Sequence, residues 1–363
     1  MQNIKVAVIL PYFGPGGAEK MVSRLVSGLD QREFHTEVFC VKGEPLGNDM
    51  EQVLQNKGIK IHYIGKKNGF SVSAVLRLFQ KLDCFLPDVI HTHQSSCIYA
   101  APWAVMRNKP FLHTMHTLPE IENARLMRRL LTNFLTKHNL MTPVAVSNTN
   151  QRLVAEYYGL QLAQVPMIQN PVDVKRFSEA KCERDDVFRF ITVGRFSKEK
   201  NQQMMLRAFA EFVDKGYSAR LVMLGKGEEE ENLKGLAKEL GIDDKIDYVG
   251  YVNNVEDYLK KADVFLLSSH YEAQPLCVLE AMAAGLPIIS TDVGGVSDVV
   301  TDNGFLVSSG DVQSMAQAME QLYLDKSLRE EMAENSAANA KPFDVSNTTC
   351  GYSKLYRDLA TRK

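Results

Sequence analysis

Cysteine is sparse and scattered in this chain of 363 residues: Cys40, Cys84, Cys97, Cys182, Cys277 and Cys350 form no CxxC pair and no metal-ligand spacing. A disulfide framework and a zinc site are therefore not expected, and reduced thiols in a cytosol are. Long apolar runs are also missing. Ile4–Leu10 is interrupted by Lys5, falls well short of the ~20 residues that span a bilayer, and is followed by no cleavage site. The chain is expected neither to cross a membrane nor to be secreted. The net charge is only -2, which argues against a general affinity for nucleic acid. There is no low-complexity tract and no repeat at solenoid periods.

What is present is an ordinary globular composition, 45% hydrophobic and 24% charged, with Gly and Pro together 36 of 363 residues. Disordered and collagen-like classes are excluded. The length exceeds one core and suits two domains of roughly 150 to 200 residues. Charge is unevenly divided: residues 1–170 carry 18 Lys/Arg against 12 Asp/Glu, and residues 171–363 carry 24 against 32. The basic half suits an anionic or membrane-bound partner.

Short apolar runs alternate with amphipathic stretches throughout. Lys5–Leu10, Thr36–Val41 and Asp88–His91 read as strands, with helices at Met21–Leu29 and Val72–Leu82. The second half repeats the scheme with strands at Phe188–Val193, Arg220–Leu224, Ile246–Val249, Val264–Ser268 and Pro287–Thr291. This order predicts two parallel, doubly wound α/β domains. The break is placed at Asn170-Pro171-Val172-Asp173, giving an N-terminal domain 1–170 and a C-terminal domain 171–344. In 345–363, Tyr352, Leu355, Tyr356 and Leu359 share one helical face that must be buried, and packing back on the N-terminal domain would bury it. The acidic run Glu228–Glu231 reads as a solvated first helical turn.

Three elements carry chemistry. In Ser268–Gly285 a strand ends, a loop bears Glu272, and a helix opens at Pro275, turning free N–H groups and positive dipole toward the strand ends. Glu280 lies about one and a half turns in, where its carboxylate suits a diol such as ribose; the bland reading is a core helix with two surface glutamates. Gly194-Arg195-Phe196-Ser197-Lys198-Glu199-Lys200 follows a strand of the same domain, and its guanidinium and ammonium suit a diphosphate. Pro11–Glu19 is a glycine-rich turn that completes neither a P-loop nor GxGxxG, although its glycines permit close backbone approach to a ligand.

Taken together, Glu272-x7-Glu280, Gly194-Arg195-x4-Lys200, Gly16-Gly17-Ala18-Glu19, Val146-Ser147-Asn148 and Asn170-Pro171-Val172-Asp173 resemble the retaining, nucleotide-sugar-dependent glycosyltransferases of the GT-B "group 1" type. The resemblance spans nearly the whole chain. It departs at Ala273-Gln274, where Gly-Phe or a relative is common, and at Pro171, which replaces a usual glycine. It implies a GT-B fold, two Rossmann-like domains facing a central cleft, with the acceptor on the N-terminal domain and the donor on the C-terminal one. Arg195 and Lys200 would hold the donor diphosphate, Glu280 the ribose, and Glu272 with the backbone at Gln274, Pro275 and Leu276 the sugar. The Gly16-Gly17 loop would close on the phosphates, Tyr251 would line the base, and His116 would face the transferred sugar. Glu272, His116, Arg195 and Lys200 form the expected catalytic set; His93 is the acceptor-side candidate and His113 a structural one. The donor would be a UDP- or GDP-sugar and the acceptor a glycan or polyprenyl-linked carrier. No metal or other cofactor is expected, because no Asp-x-Asp clip stands at a strand end.

Residues 124–138 form a basic amphipathic segment, with Met127, Leu130, Leu131, Phe134 and Leu135 set among Arg125, Arg128, Arg129 and Lys137. It is read first as a surface helix packing its apolar face on the core. The alternative places it on an anionic membrane, making the protein peripheral on the inner face. Rival functions are a nucleotide-sugar epimerase, a glycan phosphorylase of the same fold, and a non-catalytic binding module.

Overall fold

The computed structural model describes residues 3–14, 16–66, 69–180 and 185–361. Pro15 of the glycine-rich turn and Cys182 lie outside the described residues. The other five cysteines are free thiols. The chain divides into one unit of Met1–Pro171 with Val345–Lys363 and a second of Val172–Asp344.

The first unit is a six-stranded parallel sheet in the order β3-β2-β1-β4-β5-β6. Its strands are β1 Ile4–Leu10, β2 Phe34–Lys42, β3 Ile61–Lys66, β4 Val89–His93, β5 Phe111–Thr114 and β6 Thr142–Val144. Val6 to Leu10 are wholly buried, as expected of a central strand covered on both faces. The order reverses between β1 and β4. Helices begin where the sequence supplies caps: Asn48, Ser71 and Ser147 accept hydrogen bonds from the backbone N–H groups of Glu51, Ala74 and Asn150.

The final helix, Val345–Thr361, belongs to this unit and packs on helix Gly17–Gly28, β1 and β4. Its Tyr352 and Tyr356 are fully buried. Close approach requires glycine at position 28, where a Cβ would meet Thr349 Oγ1 at 2.7 Å.

The second unit is another six-stranded parallel sheet, ordered β12-β11-β10-β7-β8-β9. Its strands are β7 Arg189–Val193, β8 Arg220–Leu224, β9 Ile246–Gly250, β10 Val264–Leu267, β11 Ile288–Thr291 and β12 Gly304–Val307. The order reverses between β7 and β10. Phe190, Phe209 and Phe212 anchor a core that joins this sheet to its flanking helices.

Two local expectations are corrected. The helix near the acidic run spans Glu230–Glu239, so Glu228 and Glu229 precede it, and Glu229 is buried rather than solvated. The basic segment forms helix Leu126–Lys137, but it turns only part of its apolar face inward, with Leu135 buried and Leu131 packed against the core. Leu126, Met127, Leu130 and Phe134 are exposed, while Thr132, Leu135 and Thr136 are buried. The Thr132 hydroxyl hydrogen-bonds Asn123 and the Arg128 carbonyl, which satisfies the polar side that faces the protein.

Candidate active site

In an open α/β sheet the crevice beyond the carboxyl ends of the strands, where strand order reverses, is where a ligand fits. In the second unit that point lies between β7 and β10. Gly194 to Lys200 leave the end of β7, and Ser268 to Glu272 leave the end of β10. The two segments are tied together: the Ser268 hydroxyl donates to the Lys200 carbonyl at 3.0 Å, and the His270 N–H to the Glu199 carbonyl at 2.8 Å.

These ties bring the predicted cation to the predicted carboxylate. Lys200 Nζ donates to Glu272 Oε1 at 2.5 Å, and the Ser269 hydroxyl donates to the same oxygen at 2.7 Å. Burial works against the Lys200 ammonium, but the Glu272 carboxylate and the Cys277 side chain outweigh it and raise its pKa. Lys200 is thus a fixed cation at neutral pH. Arg195 is exposed, and its charge reaches Glu199, Lys200 and Tyr271.

Helix Leu276–Ala283 starts from Pro275, with no side chain capping it. The Val278 N–H donates to the Pro275 carbonyl at 3.1 Å, so what the helix start presents to an anion is chiefly its positive dipole end. Glu272 and Glu280 are not the surface glutamates of the bland reading: the Glu272 side chain is 11% exposed and Glu280 1%. Glu280 acts electrostatically on Arg176, which also makes a two-pronged ion pair with Glu256 at 2.8 and 3.0 Å. Gln274 is buried, and Tyr251 is 47% exposed just beyond β9, an edge strand two places from β7.

Sequence reasoning missed the glycines that shape this crevice. Gly294 has φ +54°, and a Cβ there would lie 1.8 Å from the Glu272 carbonyl oxygen, while the Gly295 N–H donates to that oxygen at 3.0 Å. Gly225 and Gly227, beyond β8, press as closely on the Gly194 and Phe196 carbonyls, at 1.8 and 2.0 Å from a built Cβ. Glycines within a few residues of the end of an apolar strand were the available signal.

The first unit gathers four histidines at the ends of β4 and β5. His93 Nδ1 and His116 Nε2 are 2.8 Å apart and share one hydrogen. His113 lies between Glu122 at 3.0 Å and Thr92 at 2.9 Å, and Glu122 also accepts from the His116 N–H at 3.2 Å. His91 bonds Tyr356 at 2.7 Å and Thr114 at 2.8 Å, and Thr114 bonds Tyr352 at 2.8 Å. Burial keeps His91 and His93 neutral, pushing both well below the ordinary imidazole range. For His116, burial outweighs the Glu122 carboxylate and lowers the pKa to about 4. Burial would favour neutral Glu122, but the His113 hydrogen bond and the charge of Arg128 hold it below its ordinary value. His93 Nε2 is buried with no hydrogen-bond partner among the described residues.

The glycine-rich turn lies in this same unit. Gly16 caps helix Gly17–Gly28, and a Cβ on it would strike Glu19 Oε2 at 2.3 Å. The structure therefore joins Lys200 and Glu272 directly, and joins His93 and His116 directly. Tyr251 stands apart from the Lys200–Glu272 pair in its sheet. No group of His, Cys, Asp and Glu arranged to hold a metal occurs among the described residues.

Two Rossmann-like units, each a six-stranded parallel sheet with one reversal of strand order, define the GT-B class of fold. The chain belongs to the group 1 glycosyltransferases: residues 173–339 match the family "Glycosyl transferases group 1" and residues 15–176 match "Glycosyltransferase Family 4". A D-inositol 3-phosphate glycosyltransferase from Acidothermus cellulolyticus is 29% identical over 326 residues, 80% of this chain and 72% of that protein. An N-acetyl-alpha-D-glucosaminyl L-malate synthase from Bacillus anthracis is 28% identical, covering 75% of each chain. The fold is also that of Anabaena HepE, solved in complex with UDP-glucose, with TM-score 0.85, 18% identity, and coverage of 98% of this chain and 100% of that one.

Proposed function

We propose that the chain transfers a glycosyl group from a nucleoside-diphosphate sugar, with retention at the anomeric carbon, to a hydroxyl of a glycan or lipid-linked acceptor. The observation that carries this reading is the Lys200–Glu272 pair beside an uncapped helix start at the β7–β10 reversal. When the bond from the anomeric carbon to the diphosphate breaks, its electron pair stays on the leaving oxygen. Cations and N–H groups aimed at that oxygen lower the barrier most. Arg195, Lys200 and the first turn of helix Leu276–Ala283 supply them, so the chain's own charges suffice without a metal or other cofactor.

The acceptor oxygen then bonds to the same face of the anomeric carbon, and its proton passes to the leaving phosphate. Glu272 orients the sugar together with the backbone at Gln274, Pro275 and Leu276; Glu280 takes the ribose and Tyr251 the base. Gly16 and Gly17 serve the phosphates from the first unit, and His116, held by His93, serves the transferred sugar. HepE supports a UDP-sugar by analogy, and the inositol 3-phosphate and malate relatives support small-molecule or glycoconjugate acceptors. No helix among the described residues is long and apolar enough to cross a membrane. The exposed apolar face of helix Leu126–Lys137, with Arg125 and Arg129, supports peripheral attachment to an anionic inner membrane face.

The test is a thermal-shift and product screen against UDP-, GDP- and ADP-sugars. A bound donor raises the melting temperature by mass action. A shift with one nucleotide class and sugar transfer from it are expected; sugar release without any nucleotide, or turnover only with inorganic phosphate, overturns the reading.

A further inference from the structure

The glycine-rich turn that leaves β1 carries few side chains with which to fix its own course. Phe13 is buried, and the Tyr12 ring lies so near Gly14 that a Cβ there would meet it at 2.1 Å. The rest of the hold is on the backbone, whose carbonyls take donors from the chain that follows β2. The Lys42 N–H, at the end of β2, donates to the Pro11 carbonyl at 2.6 Å, and Asn48 Nδ2 donates to the Phe13 carbonyl at 2.9 Å.

Asn48 makes a second bond with the other end of its amide. It is the N-cap of helix Asp49–Asn56, where its Oδ1 accepts from the Glu51 N–H at 3.0 Å. Asp and Ser cap a helix as well as Asn does. Only the amide of Asn accepts at one end and donates two hydrogens at the other. Because its oxygen is committed to the helix start, its nitrogen is turned to Phe13. Capping alone does not call for Asn at this position, and the bond to Phe13 does.

Asn48 is in turn held in place. Glu51 is 1% exposed, and its carboxylate accepts from the N–H groups of Leu46 and Gly47 at 3.0 and 2.6 Å and from the Tyr63 hydroxyl of β3. Burial and then the bond to Glu51 push the Tyr63 pKa up, so that hydroxyl stays a donor. Gly47 enters the cap with φ +65°, a conformation that favours glycine. Hydrogen bonds therefore run from β3 through Glu51 to the backbone just before Asn48, and from Asn48 to the glycine-rich turn.

We propose that Asn48 is a positioning residue: its amide clamps the Phe13 carbonyl and so fixes the turn from which Gly16 and Gly17 present their backbone to a phosphate. The phosphate contact rests on the glycosyl-transfer reading; the clamp does not.

The experiment compares Asn48→Ser and Asn48→Ala with the parent, in the full chain, by amide hydrogen exchange, thermal melting and donor kinetics. Ser keeps a cap for the Glu51 N–H and loses the donor to Phe13, whereas Ala loses both. In both variants exchange across 11–19 is expected to rise at least about threefold, and kcat/KM for the nucleotide sugar to fall about tenfold with the acceptor KM unchanged. Only Ala should lower the melting temperature, by about 2–4 °C. A purely structural role would make the kinetics follow the melting temperature, with Ser close to the parent, and that pattern overturns the proposal. Unchanged exchange across 11–19 in the Ser variant overturns the clamp. Faster exchange there with donor kcat/KM within about twofold of the parent overturns the positioning role. A parent that turns over no nucleotide sugar sinks the glycosyl-transfer reading, and the exchange arm still decides the clamp.

Discussion

Lys200 and Glu272 are 72 positions apart in sequence, yet the ammonium of one donates to the carboxylate of the other at 2.5 Å. The pair bridges the loops that leave β7 and β10, the two strands at which the sheet order reverses. Its side chains are 27% and 11% exposed, so the charges are partly withdrawn from water while a ligand can still reach them. A diphosphate arriving there meets a cation already held in place, which lowers the ordering cost of binding.

Replacing Lys200 with Ala removes one donor to the leaving oxygen and leaves Glu272 without its ion-pair partner. Turnover should fall about 10²- to 10³-fold, equivalent to roughly 3 to 4 kcal/mol. Steady-state kinetics on protein with an unaltered circular dichroism spectrum check this. A rate within about twofold of the parent removes Lys200 from the site.

Arg195→Ala should cost a similar 10²- to 10³-fold in turnover, about 3 to 4 kcal/mol. Its side chain is exposed, so the variant is expected to fold as the parent does. A melting temperature within about 2 °C of the parent is expected alongside the loss of rate.

Gly294→Ala puts a Cβ 1.8 Å from the Glu272 carbonyl oxygen at a backbone φ of +54°. The loop must shift, and Glu272 moves with it. Turnover should drop about 10²-fold with the protein still folded, since misplacing a reacting group by about 1 Å has that effect. Kinetics paired with a thermal melt separate this from global unfolding.

Tyr356→Phe deletes the hydroxyl that bonds buried His91 at 2.7 Å. Leaving a buried partner unsatisfied costs about 1–2 kcal/mol, which lowers the melting temperature by about 2–8 °C for a unit of this size. Scanning calorimetry reads the shift, and an unchanged transition denies the His91 link to the final helix.

Acidification should destabilise the first unit. His116 has a pKa near 4 in the folded protein against an ordinary value of 6.5, and His91 and His93 are lowered by burial as well. Between those values the unfolded chain binds protons that the native state refuses, so stability falls as pH drops from about 6.5 toward 4. Melting curves across that range check the sign. A melting temperature that rises on acidification contradicts it.

The central strands and the Glu272 helix were legible because buried parallel strands write themselves as apolar runs and helix starts as caps and proline. β6 was not: Thr142–Val144 is three residues long and contains Pro143, which the sheet tolerates because β6 is its edge. The histidine cluster was only half legible. His93 and His116 could be singled out, but their contact depends on β4–β5 register, which places His93 beside Thr114. Helix Leu126–Lys137 showed its periodicity plainly, and periodicity says which side chains share a face, not what covers it.

The most direct test of the central claim is calorimetric titration of the parent and Lys200→Ala proteins with the preferred nucleoside diphosphate and with its unphosphorylated nucleoside. The account predicts that the variant loses at least about tenfold in diphosphate affinity while the nucleoside binds both proteins equally. Equal diphosphate affinity in the two proteins would contradict it.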